Sequence, residues 1–204
     1  MLKYILYFII VAAVIGGIIG IVHLYRVSVR NEKEMAPYMN MSDTVHKNFG
    51  KTLIIYYSLT GHTKEIAEKI QSKTNADLFE IETQKAFPMK PILFFAVKQQ
   101  LKDKNYPALK NIPDVSSYDT IFVGSPVWWY TAATPVLSLL NQVDFQNKKV
   151  VPFSTQGSNA GTFLEDFKAK IKNAVVLDYA SFNNIGKEYD QAVNAKIAAW
   201  LNNL

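Results

Sequence analysis

The chain has 204 residues, a formal net charge of +5, 49% hydrophobic residues and no cysteine. The missing cysteine excludes disulfides, thiol catalysis and a lipid-modified cysteine anchor, and fits either side of a bacterial-type membrane. Residues 1–30 carry +3 of the charge (Lys3, Arg26 and Arg30, with no acid), which leaves 5 − 3 = +2 dispersed over 31–204. No basic block marks a nucleic-acid surface.

From the N-terminus, Tyr4 to Val22, "YILYFIIVAAVIGGIIGIV", contains no charged residue. A helix needs about twenty apolar residues to cross the hydrocarbon core, so this run predicts a single membrane span. A cleaved signal peptide would have a shorter apolar region and a small-residue cleavage site, and "HLYRVSVR" offers none. A cleaved signal and a buried helix are the alternatives. Lys3 and the terminal amine oppose Arg26, Arg30 and Lys33, so the basic flanks bias the remaining chain only slightly toward the cytoplasm. The expected organisation is an anchor over 1–30, a polar tether over 31–48 and one domain over 49–204.

Within that domain, Lys51–Tyr57 ("KTLIIYY") predicts a strand buried on both faces. Thr63–Ser72 places Ile66, Ala67 and Ile70 on one helical face. Asp77–Thr83 reads as a second strand, and Pro91–Leu101 as a helix opened by proline. Tyr118–Pro126 is a third strand, followed by a helix from Thr134 and Pro135 to about Asn141. "KKVVPFST" is a fourth strand and Leu164–Ile171 a helix. Ala174–Leu177 is a fifth strand, and Glu188–Leu201 a final amphipathic helix. Alternating strands and helices imply right-handed crossovers, hence an α/β fold with a doubly wound, five-stranded parallel sheet.

Such sheets bind ligands beyond the carboxyl ends of their strands, which selects three turns. The first holds Ser58, Thr60, Gly61, His62 and Thr63 before a helix N-terminus. Free amides and the helix dipole there favour an anion such as phosphate, although for this turn taken alone Thr60 or Thr63 capping the helix is the favoured reading. No Walker A lysine follows, which disfavours a magnesium-bound nucleoside triphosphate and a phosphotransferase. The second turn, "GSPVWWYTAATP", brings Pro126, Val127, Trp128, Trp129 and Tyr130, either as a planar surface for an aromatic ligand or as one core aromatic with a surface patch. The third, "STQGSNAG", gathers Thr155, Gln156, Gly157, Ser158 and Asn159, donor-rich or simply a glycine loop. In combination the turns suit a phosphate, a planar ring and that ring's polar edge, as flavin mononucleotide (FMN) requires.

"YYSLTGHTKEIAEKI", "YDTIFVGSPVWWYTAATPV" and "VVPFSTQGS" resemble the flavodoxins over roughly Lys51 to Leu204, in particular bacterial flavodoxin-like proteins. The resemblance implies a 2-1-3-4-5 sheet and FMN as cofactor. It implies a phosphate held by Ser58, Thr60, Gly61, His62 and Thr63. It also implies an isoalloxazine flanked by Pro126, Val127, Trp128, Trp129 and Tyr130, with Thr155, Gln156 and Gly157 near its edge. Three features depart from the family: His62 stands where asparagine is usual, the domain is not acidic, and a membrane span precedes it.

The expected function is electron transfer by a membrane-anchored FMN protein, with a redox partner protein or a quinone as acceptor. The alternatives are an NAD(P)H-dependent quinone reductase and a non-enzymatic binding module on the same fold. No acid–base catalytic side chain and no metal site is expected. His23 and His46 read as surface or interface histidines, and Asp119 and Asp144 as solvated turn acids.

Overall fold

The computed structural model describes residues 2–88, 92–157, 159–184 and 186–204. Pro91, expected to open the third helix, and Ser158 of the third turn lie outside them. Helix α1 runs from Leu2 to Met35, 34 residues or about 51 Å at 1.5 Å per residue. Its apolar part is long enough to cross a membrane and none of it is buried. The last two turns are different. Asn31 and Met35 are buried against the domain, followed by a short 3-10 turn, Ala36–Tyr38. The remainder of segment 31–48 is also held. The His46 N–H donates to Asn202 Oδ1 at 2.8 Å, Asn202 Nδ2 donates to the Thr44 carbonyl at 3.0 Å, and Lys73 pairs with Asp43 at 3.0 Å.

The domain alternates strands and helices, as its hydrophobic pattern predicts. In order come β1 (Thr52–Tyr56), α2 (His62–Thr74), β2 (Asp77–Glu80), α3 (Ile92–Asp103), β3 (Thr120–Trp128) and β4 (Thr131–Ala132). Then follow α4 (Thr134–Gln142), β5 (Asp144–Gln156), α5 (Phe163–Lys170), β6 (Lys172–Val176), β7 (Ala180–Asn183) and α6 (Asp190–Asn203). The parallel sheet has the order β2-β1-β3-β5-β6, with β7 also beside β5 and β4 paired antiparallel to β3. The expected 2-1-3-4-5 arrangement is therefore present.

Several element boundaries differ from expectation. The second strand stops at Glu80, where its pairing with Tyr56 ends; Thr83 instead bridges Leu109. The fifth strand comes in two pieces. β6 pairs with β5 at Lys148–Val150 and β7 with β5 at Phe153–Gln156, and the chain steps away between them. β5 starts at Asp144, earlier than expected, and accommodates a register shift before Lys148 with Gln146 and Asn147 at positive φ, the signature of a bulge. The final helix is preceded by a separate 3-10 turn, Lys187–Tyr189.

Successive strand residues point to opposite faces, which builds two cores. Ile54, Phe122 and Phe153 pack with Ile66, Ile70 and Ile197 of α2 and α6, and Met35 of α1 joins them. Ile55, Ile121 and Val123 pack on the other side with Leu137, Phe163 and Phe167 of α4 and α5. Gly124 sits where a Cβ would lie 2.2 Å from the Phe153 ring, so this central position admits no side chain. Asp119 and Asp144 are turn acids: Asp119 accepts the Lys51 N–H at 2.8 Å and Asp144 the Gln146 N–H at 2.9 Å.

Candidate functional site

The three selected turns lie at neighbouring strand ends, after β1, β3 and β5, which are adjacent in the sheet. In the first, Gly61 is the residue before α2, with φ +92°, and no side chain caps the helix. The alternative that Thr60 or Thr63 serves as the cap is thereby excluded. Ser58 Oγ accepts the Gly61 N–H at 3.2 Å, which curls the turn back and leaves its hydroxyl proton available to a ligand. Thr60, Gly61 and His62 are exposed, while Thr63 is buried. The Thr63 hydroxyl shares a 2.8 Å hydrogen bond with that of Thr155, which ties the first turn to the end of β5.

The second turn is a hairpin. β3 extends through Pro126 and Val127 to Trp128 and returns as β4, with Val127 opposite Ala132 and Trp128 opposite Thr131. The two residues between are Trp129 and Tyr130, at φ +51° and +66°. Two-residue hairpins with both turn positions left-handed normally use Asn-Gly. Two aromatics there cost roughly 1–2 kcal/mol each, so the surroundings must hold them. Thr162 donates its N–H at 2.8 Å and its hydroxyl at 3.3 Å to the Tyr130 carbonyl. Trp129 lies on Phe94, centroids 4.0 Å apart, and its Nε1 donates to the Phe94 carbonyl at 3.1 Å. The Lys98 ammonium sits 5.1 Å from the Trp129 ring centre.

Trp128 turns the other way. It packs edge-on against Tyr57 (5.5 Å) and Phe87 (5.2 Å). Burial, with the Glu80 charge second, pushes the Tyr57 phenol up to about 12, so it is neutral throughout the physiological range. Behind the hairpin, the Ser125 hydroxyl accepts the Ala133 N–H at 2.9 Å.

The third turn departs most from expectation. Thr155 faces α2, but Ser154 and Gln156 face the opposite side of the sheet. Ser154 donates to Gln156 Oε1 at 2.9 Å and hydrogen-bonds the Tyr179 hydroxyl, and Gln156 Nε2 reaches Asn183 at 3.4 Å. The buried Gln156 side chain is thus committed to the seam between β5 and β7 and is not turned toward the first loop. Gly157 is exposed, and its carbonyl accepts from Arg30 at 3.3 Å. A small cleft beside the first turn is lined by His62, Glu65, Thr155, Asn183 and Asp190.

Phe87, Phe94 and Lys98, which support the aromatic hairpin, escaped sequence reasoning. Their signal was the stretch "AFPMKPILFFAVK", dense in aromatics directly after the second strand. Among the described residues no group of three His, Cys, Asp or Glu side chains could hold a metal ion.

The Flavodoxin family model matches residues 51–204. The chain belongs to the flavodoxin family. Among solved structures, this chain is similar to a flavoprotein from Lactobacillus acidophilus crystallised in complex with FMN. That pair shares 30% identity over 65% of this chain and 93% of the other, with a TM-score of 0.59. The apo-form of the flavoprotein from the same organism is 32% identical over 70% of this chain and 97% of that chain, with a TM-score of 0.51. A flavoprotein from Bacteroides uniformis is 25% identical over 76% and 99% of the two chains, with a TM-score of 0.62. No curated protein matches this chain.

Proposed function

We propose that this protein is a membrane-anchored FMN protein that transfers electrons, with residues 1–30 as the anchor and 49–204 as the FMN-binding domain. The observation that carries the reading is the uncapped N-terminus of α2 behind Gly61, next to an aromatic hairpin held at the adjacent strand end. Such a helix start is a ready anion site, and the residues around it fit a flavin phosphate. The Ser58 and Thr60 hydroxyls, His62 and the first-turn amides of α2 supply donors, and Gly61 allows close approach. Thr63 acts from beneath, through its bond to Thr155. The FMN complex of the Lactobacillus acidophilus flavoprotein supports the choice of ligand.

Bound FMN supplies one- and two-electron exchange at its isoalloxazine. The chain's part is to orient and shield that ring. Pro126, Val127 and Trp128 form the rigid side of the hairpin, and exposed Tyr130 forms its tip. Thr155 and Gly157 would hold the ring's polar edge, with the exposed backbone of Gly157 offered to it in place of the Gln156 side chain, which Ser154 and Asn183 engage. No acid–base side chain is required, and the neutral Tyr57 phenol contributes packing, not charge.

The full chain purified in detergent is expected to carry one FMN per protein and show a flavin visible spectrum. A preparation that is FMN-free and cannot be reconstituted overturns the reading in favour of a binding module. Titration with NADH and NADPH then separates the two redox roles. Bleaching of the flavin supports a reductase delivering electrons to a quinone, and no bleaching supports a carrier fed by a partner protein.

A further inference from the structure

The end of α1 fixes which part of the domain faces the membrane. Met35 is packed in the core on the α2/α6 face. One residue earlier, Glu34 accepts from Lys196 Nζ at 2.6 Å and from Asn183 at the carboxyl end of β7. One turn earlier still, Arg30 reaches the Gly157 carbonyl, just beyond the carboxyl end of β5. Traced toward its N-terminus, α1 therefore climbs along the sheet toward the strand carboxyl ends and leaves the domain there. Arg30 stands eight positions after Val22, the last residue of the uncharged apolar run, or about 12 Å along a helix axis. That short distance holds the carboxyl end of β5 close to the headgroup layer, which extends about 5–8 Å beyond the hydrocarbon.

The surface at this end is suited to such a position. Leu59 of the first turn, Ile92, Phe94 and Phe95 at the start of α3, and Tyr130 at the hairpin tip are 41–68% exposed. They come from three separate segments and share one end of the molecule. Trp129 and Lys98 stand among them, ring and ammonium 5.1 Å apart, and aromatic and basic side chains are those that settle at a membrane interface. At the opposite end of the sheet Lys47, Asp119, Lys148 and Lys149 line a cleft together with the apolar Phe49 and Leu177, so charge is concentrated there as it is not at the rim.

We propose that this apolar rim rests in the headgroup region of the bilayer that α1 spans, so that the candidate flavin site opens toward lipid. The inference depends on α1 being a membrane span. Its redox partner is then an amphiphilic carrier dissolved in the bilayer or a protein projecting little above it.

The absence of cysteine allows a direct test on the full chain in proteoliposomes. Phe95→Cys and Ile92→Cys would each carry an environment-sensitive fluorophore, with Lys47→Cys as the distal control. Lipids spin-labelled near the headgroup are expected to quench both rim probes several-fold more than the control. Equal quenching at all three positions overturns the proposal. So does a rim fluorophore that is unquenched yet blue-shifts as the protein-to-lipid ratio rises, since a second copy would then cover the rim. Flotation with liposomes after a carbonate wash separates the premises. A chain that fails to float removes the anchor and the proposal together, whereas a floating chain with unquenched rim probes removes only the proposal.

Discussion

The hydroxyl pair Thr63–Thr155 is a two-member unit in a buried setting, and its energetics can be apportioned. Thr63→Val keeps the shape but leaves the Thr155 hydroxyl buried without its partner, which should cost about 1–3 kcal/mol in urea unfolding. Adding Thr155→Val should recover part of that loss, because an unmatched polar group is worse than none. His62, exposed at the first position of α2, poses an electrostatic question. If it donates to the flavin phosphate from the start of α2, His62→Ala should weaken FMN binding several-fold in a fluorescence titration. Unchanged affinity of the variant would exclude a phosphate role.

Tyr57 gives a stability prediction of definite sign. Its folded-state value, about 12, lies above the ordinary 10, so the folded state holds the proton more tightly. The associated stability is complete below pH 10 and is lost as the pH rises toward 12. Chemical-denaturation midpoints should therefore decline above pH 10, and the decline should be shallower in Tyr57→Phe, which retains the contact with Trp128.

At the level of elements, the β3–β4 hairpin concentrates strain where the ligand ring is proposed to lie. Tyr130→Gly removes a left-handed side chain that costs roughly 1 kcal/mol. Thermal stability should hold or rise slightly while FMN affinity falls, a combination that simple loss of packing would not produce. Gly161→Ala should instead lower both, because its Cβ would lie 2.3 Å from the Tyr130 carbonyl at φ +58°. The hairpin would be displaced and both stability and affinity lost.

The central strands β1, β3 and β5 were legible because a parallel sheet covered on both faces needs continuous apolar runs. β7 was not, since "ASFN" is short and derives its strand character from the far end of β5. The same limit governed the site. Turn chemistry selected three loops that the sheet brings to neighbouring strand ends, yet the direction of Gln156 depends on alternation along β5, which puts it on the face opposite Thr155. The support that Phe87 and Phe94 give to the two tryptophans depends on segments brought together only by the fold.

For the whole molecule, the decisive departure is that the chain after the apolar run does not hang free. Arg30, Glu34 and Met35 join α1 to the domain through side-chain and core contacts. Glu34→Ala should loosen that junction and raise the rate of tryptic cleavage after Arg30 or Lys33 in detergent, with little change at sites inside the sheet. Unaltered cleavage would mean that core packing of Met35 alone secures the helix.

A domain on a slack tether samples every orientation and encounters partners from the bulk as a dissolved protein does. A domain continuous with a helix that crosses the bilayer has lost its tumbling and can only spin about the membrane normal and drift sideways. For such a molecule, encounter frequency follows the number of partner molecules per unit of membrane area rather than per unit of volume. Turnover should then scale with the mole fraction of the acceptor in the lipid and be indifferent to dilution of the vesicles.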